Sequence, residues 1–191
     1  MGKILVLDGS LHGKDGNTSV LIRQLLNTLG PDIQADYLEL RFCKDIVDEE
    51  NRFREADGFI FGTGTYWQSW SHHAQRFFEQ VTSWESTDIW LGKPVCSIVT
   101  MHSVGGMGVL ARLQSNFSLF GAVIPPMCCI VHSYVNRLAQ QNSSLDGGDE
   151  DIWDERSLPT IAHNFIEAVR RTHNYRSWQV DSDHDSHGKW L

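Results

Sequence analysis

Three short stretches gather glycine, hydroxyl, amide and aromatic residues at points where apolar runs stop. The first, GSLHGKDGNTS from Gly9 to Ser19, sets the donors Ser10, Asn17, Thr18 and Ser19 among Gly9, Gly13 and Gly16. Ahead of a helix, such a stretch can hold an anion. The first helical N–H groups lack internal partners and carry the positive end of the dipole, so a phosphate accepts several bonds at once. A glycine-rich turn capped by Asn17 is the competing reading of these residues alone. A Walker loop does not fit, because three residues rather than four separate Gly9 from Gly13 and Asp15 follows Lys14 where a hydroxyl is needed. The dinucleotide fingerprint fails at Leu11, which stands where its second glycine belongs, although Glu39 lies near the place of a ribose-binding acid.

The second stretch, GTGTYWQSW from Gly62 to Trp70, sets Tyr66, Trp67 and Trp70 beside small hydroxyl residues. Aromatics in a turn expose apolar area unless they pack on something, and a flat ring system is a natural counterpart. Backbone N–H groups around Trp67, Gln68 and Ser69 could then donate to the polar edge of that ring. Alternatively, the aromatics fold back on a helix through Phe77 or form a subunit contact. In the third stretch, TMHSVGGMG from Thr100 to Gly108, Gly105 and Gly106 allow close backbone approach and His102 either touches a ligand or is simply exposed.

The elements that must position these loops follow from periodicity. Lys3–Leu7, Gly58–Phe61, Pro94–Val99 and Ala122–Val131 are nearly continuous apolar runs, as in strands covered on both faces. In Asp36–Phe42, Leu38, Leu40 and Phe42 alternate with polar neighbours, as near a sheet edge. Helical spacing links Leu21, Ile22, Leu25, Leu26 and Leu29, with a stop signal at Gly30–Pro31. Further stripes join Ala74 to Val81, Val109 to Phe120 and Ile161 to Val169, and Glu49–Glu55 reads as one short charged helix.

Alternating strands and helices imply parallel pairing through right-handed crossovers. The pattern predicts an α/β fold, a three-layer doubly wound parallel five-stranded sheet with the flavodoxin-like strand order 2-1-3-4-5. The three loops then follow strands one, three and four and meet around one crevice as phosphate holder, aromatic shelf and glycine-lined wall.

One domain over residues 1–175 and a mobile tail over 176–191 account for the length, with a polar, acidic connection from Gln140 to Glu155. The tail segment DSDHDSH, Asp181–His187, carries metal-capable groups that nothing fixes in place, so no metal site is expected. Cys43, Cys96, Cys128 and Cys129 show neither metal-ligand spacing nor a disulfide framework and read as buried reduced thiols. A formal net charge of −8 disfavours nucleic acid and anionic membrane surfaces as partners. No apolar run nears the roughly 20 residues of a membrane span, and Met1–Asp8 lacks the marks of a signal peptide. A cytoplasmic location is the expectation.

The motifs themselves look familiar. GSLHGKDGNTSVL resembles the GSPRxxGNTxxL-type phosphate loop of flavodoxin-fold NAD(P)H-dependent oxidoreductases, the group of NADPH-dependent FMN reductases, multimeric quinone reductases and iron-sulfur flavoproteins. The segment ADGFIFGTGTYWQSWSHHAQRFFEQV, Ala56–Val81, is similar to that family's ADGIIFGTPTYWGSPS stretch, and Gly92–Pro126 continues the likeness. The resemblance implies FMN, with its phosphate on Ser10, Asn17, Thr18 and Ser19 beside His12. It places the ring near Thr65, Tyr66, Trp67, Gln68 and Ser69, with His102, Ser103, Gly105 and Gly106 on the other side. Tyr66, Trp67, Trp70 and His102 would shape the pocket for nicotinamide and acceptor. No protein acid or base is required, since the cofactor carries the chemistry. Several positions depart from the family pattern: Gly64 replaces a proline, Gln68 a glycine, and Leu11–His12 a proline–arginine pair. The cysteine cluster of the iron-sulfur branch is missing, so no such centre is expected.

The implied function is FMN-dependent NAD(P)H oxidoreduction, passing hydride from the dinucleotide through FMN to a quinone-like or other small acceptor. An electron-carrying flavodoxin and a non-catalytic interaction protein of the same fold are the alternatives. The family implies a homodimer or homotetramer, with Trp84 and Trp90 either at an interface or in the core.

Overall fold

The computed structural model describes residues 2–142 and 154–178. Five parallel strands form one sheet: β1 (Gly2–Asp8), β2 (Ile33–Glu39), β3 (Gly58–Gly64), β4 (Val95–Met101) and β5 (Cys129–Ser133). Their spatial order is β2-β1-β3-β4-β5, the order the sequence predicts. The helices are α1 (Asn17–Thr28), α2 (Glu50–Glu55), α3 (His72–Gln80), α4 (Gly106–Phe120), α5 (Tyr134–Asn142) and α6 (Leu158–Val169). None is long and apolar enough to cross a membrane among the described residues.

Two apolar layers sandwich the sheet. On one face Ile4, Val6, Ile60, Cys96, Ile98 and Ile130 meet the buried stripes of α1 and α6, including Leu21, Ile22, Leu25, Ile161 and Phe165. On the other, Leu5, Leu7, Phe59, Phe61 and Val99 pack against α2, α3 and α4. Here the aromatic rings interlock: Phe59 and Trp90 have centroids 4.7 Å apart, and Phe61 and Phe117 5.3 Å. Burying each such ring contributes roughly 1.5–3 kcal/mol, so this layer is a firm base for the loops above it.

The strand ends fix where those loops emerge. Asp8 lies opposite Glu39 and Gly62, Gly64 opposite Thr100, and Met101 opposite Ser133, so every carboxyl end reaches the same rim.

Some boundaries differ from the expected ones. The second strand starts at Ile33 rather than Asp36, because pairing with β1 begins at Gly2↔Ile33; Phe42 lies past its end and is 70% exposed. In the run from Ala122, only Val123 bridges, to Pro94, before β5 begins at Cys129. Helix α5 has no counterpart in the periodicity, since Tyr134 to Ala139 all face solvent and leave no apolar stripe to read. Trp84 and Trp90 are buried in the aromatic layer, which makes them core residues within this chain. All four cysteines are free, Cys96 and Cys128 fully buried and Cys43 and Cys129 partly so. Asp181–His187 lies outside the described residues.

Candidate functional site

A cleft of about 340 Å³ opens at the carboxyl rim. His12 and Asn17 line it from the first loop, Gly64, Thr65 and Tyr66 from the second, Thr100, Met101 and His102 from the third, and Tyr134 from the start of α5. The volume lies within the usual range for small-ligand pockets.

The first loop turns through a single 3-10 segment, Gly13–Asp15, before α1 begins. Of its four expected anion donors only Asn17 lines the cleft. Thr18 Oγ1 shares a hydrogen bond with Thr100 Oγ1 at 2.6 Å, which ties α1 to the end of β4. Ser19 Oγ lies 2.5 Å from both an Asp8 carboxylate oxygen and the Gly13 carbonyl, and 3.1 Å from Ser10 Oγ. Ser10, Thr18 and Ser19 are thus buried beneath the loop.

The second loop forms a two-residue hairpin turn. Tyr66 and Ser69 exchange backbone bonds of 2.7 and 2.9 Å, and Trp67 and Gln68 between them have φ of 49° and 62°. Positive φ at both central positions is the type I′ turn, which ordinarily selects Asn-Gly. The Ser69 N–H is therefore engaged within the turn, and the Thr65 N–H donates to the Thr100 carbonyl. Those of Trp67 and Gln68 have no partner among the described residues.

The turn is held from two sides. Gly105, with φ of 90°, sits so close that a Cβ there would lie 3.3 Å from both Gln68 Cα and Thr65 Cγ2. Arg112, one helical face along α4, donates to the Gln68 carbonyl at 2.5 Å and lies 5.0 Å from the Trp70 ring centre. Trp70, expected at the pocket, is turned instead onto α3, where it packs on Phe78 and donates its indole N–H to Gln75. Trp67 points fully into solvent at the tip. Ser103 is exposed beside the cleft, and Gly106 is buried with its N–H on Met101 sulfur.

Most side chains lining the cleft are polar, and none is a carboxylate, lysine or arginine among the described residues. Thr65 Oγ1 is buried with no hydrogen-bond partner, an arrangement that proteins rarely leave unsatisfied. Burial raises the Tyr66 phenol pKa, while the Leu11 backbone beside it acts in the opposite direction. The His102 and Tyr134 rings lie 5.4 Å apart on the far wall.

Four contributors escape a loop-by-loop reading. Ser71 is the buried N-cap of α3: its hydroxyl accepts from the Ala74 N–H and donates to the Gly9 carbonyl, joining loops one and two. A serine three residues before Ala74 is a signal that the sequence does carry. Arg112 has none until α4 is oriented, Tyr134 none until β5 is placed, and Asp8 looks like one more strand residue.

Residues 2–136 match the family model described as NADPH-dependent FMN reductase. No curated protein sequence matches the chain. Among solved structures, an oxidoreductase from Corynebacterium diphtheriae superposes with a TM-score of 0.67 at 16% identity, over 88% of this chain and 97% of that one. The flavoenzyme NAD(P)H:(acceptor) oxidoreductase FerB from Paracoccus denitrificans gives 0.67 at 19% identity, over the same 88% and 97%. A flavodoxin from the domain Archaea gives 0.62 at 12% identity, over 88% and 99%. At these identities the likeness is one of fold.

Proposed function

The chain belongs to the NADPH-dependent FMN reductase family, and on that premise we propose that it is an FMN-dependent NAD(P)H oxidoreductase serving a quinone-like or other small acceptor. The observation that carries this reading is the orphaned, buried hydroxyl of Thr65, a residue that lines the cleft, beside a turn whose Trp67 and Gln68 N–H groups are unbonded among the described residues. A buried hydroxyl without a partner costs about 1–3 kcal/mol, which a ligand acceptor would recover. These donors suit the carbonyl and nitrogen edge of an isoalloxazine.

Bound FMN would supply the hydride and electron chemistry, leaving the protein to bind, orient and exclude water. Asn17 and the unpartnered N–H groups opening α1 would take the phosphate. Tyr66 would flank the cofactor, with His102 and Tyr134 closing the opposite wall; Trp67 at the open rim would meet the nicotinamide or acceptor. Ser10, Thr18 and Ser19 would contribute chiefly by shaping the loop, Arg112 by holding the turn, and Gly105 and Gly106 by letting α4 approach. The FMN-binding domain would span residues 1–175, followed by an appended tail, in a cytoplasmic homodimer or homotetramer.

The visible spectrum of the purified protein, before and after FMN addition, tests the cofactor. Anaerobic mixing with NADPH or NADH then tests the reaction: bleaching of the flavin is expected, and an unchanged spectrum with both donors removes the reductase reading in favour of an electron carrier.

A further inference from the structure

Asp8 is a carboxylate buried beneath a loop proposed to hold phosphate. It closes β1, is 1% exposed and has no salt bridge among the described residues. Its oxygens accept from the Ser10 N–H at 2.9 Å, the Ser19 hydroxyl at 2.5 Å and the Tyr37 hydroxyl at 2.6 Å. Burying an acid is costly unless such donors surround it, and placing one beside an anion site adds repulsion.

Ser19 has one hydroxyl proton and two acceptors at 2.5 Å, Asp8 and the Gly13 carbonyl. With that proton on Asp8, Ser10 is the donor in the 3.1 Å contact between the two serine hydroxyls. The Ser10 N–H is also bound to Asp8. Two donors of the first loop, the Ser10 N–H and the Ser19 hydroxyl, thus lie on an internal anion, and the Ser10 hydroxyl is tied to it through Ser19.

We propose that Asp8 is a resident anion of the phosphate loop, a positioning residue that competes with the flavin phosphate for the loop's donors and so keeps FMN exchangeable. The inference rests on the FMN reading above. Asp8→Asn keeps a carbonyl to accept the Ser10 N–H but removes the charge, so the serine donors can turn to the phosphate. Tyr37→Phe does the reverse: it takes one donor from the carboxylate and strengthens its hold on the serines. Riboflavin, which lacks the phosphate, is the control for general damage to the site.

Titration of flavin fluorescence against wild type and both variants gives the test. FMN should bind Asp8→Asn at least about tenfold more tightly than wild type, with riboflavin affinity within about threefold. Tyr37→Phe should bind FMN at least about threefold more weakly, with riboflavin again unchanged. Opposite shifts confined to the phosphorylated flavin are not what a merely structural role produces. If Asp8→Asn binds FMN no more tightly, or loses both flavins alike, the role of Asp8 is overturned. Should that variant fail to fold, equal or tighter FMN binding by Tyr37→Phe overturns it instead. Wild-type protein that takes up neither flavin removes the flavoenzyme reading and this inference together.

Discussion

Thr65 offers the sharpest division between stability and function at the scale of one residue. Its hydroxyl is buried and unpartnered, so Thr65→Val should leave the melting temperature unchanged or slightly raised. If the hydroxyl bonds FMN, the same change weakens FMN binding by roughly threefold to tenfold, read by fluorescence titration. Gln68 is a second such residue. It occupies the left-handed region with φ of 62°, at a turn position that favours glycine. Gln68→Gly should therefore stabilise the protein by a few tenths to about 1 kcal/mol in urea unfolding. The resembled family pattern carries glycine at this place, and the turn geometry explains why glycine is suited there.

At the scale of elements, the edge strand β2 is joined to α2 by Arg52, whose guanidinium donates to both Asp36 oxygens at 2.8 and 2.6 Å. The hydrogen bond from Arg52 holds the Asp36 carboxyl below the usual carboxylate range, despite some opposing desolvation. A carboxyl lowered in the folded state contributes stability above its unfolded pKa and loses it as pH falls through the folded value. Asp36→Asn should accordingly destabilise the protein at pH 7, with the difference from wild type shrinking as pH drops below about 4. Chemical denaturation at a series of pH values measures this, and a difference that stays constant with pH would exclude the pairing as its source. Alternation alone misplaces the β2 boundary: Leu40 and Phe42 keep the period of two, yet the chain has left the sheet after Glu39.

The whole molecule presents an apolar rim beside its cleft. Trp67 is fully exposed, Val104 70% and Met107 57%, and such groups on one side of a protein commonly mark a contact with another chain. In the proposed dimer or tetramer Val104 and Met107 would be covered, so wild type should elute as an oligomer in light-scattering chromatography and Val104→Asp should shift it toward monomer. An unchanged mass for the variant would place the contact elsewhere.

The order of strands, the two-sided burial of the sheet and the meeting of three loops at one edge were legible in the sequence, because apolar periodicity and the need for crossovers act locally and leave few topologies. Asn17, Thr65, Tyr66 and His102 could be placed near one crevice on those grounds. Their orientations could not. Whether Ser19 points to a ligand or to Asp8, whether Trp70 faces the cleft or Phe78, and which helix supplies Arg112 to the turn depend on neighbours distant in the chain. Hydrogen-bond donors and aromatic faces are satisfied by whatever the packing brings within reach, and only the tertiary structure decides that.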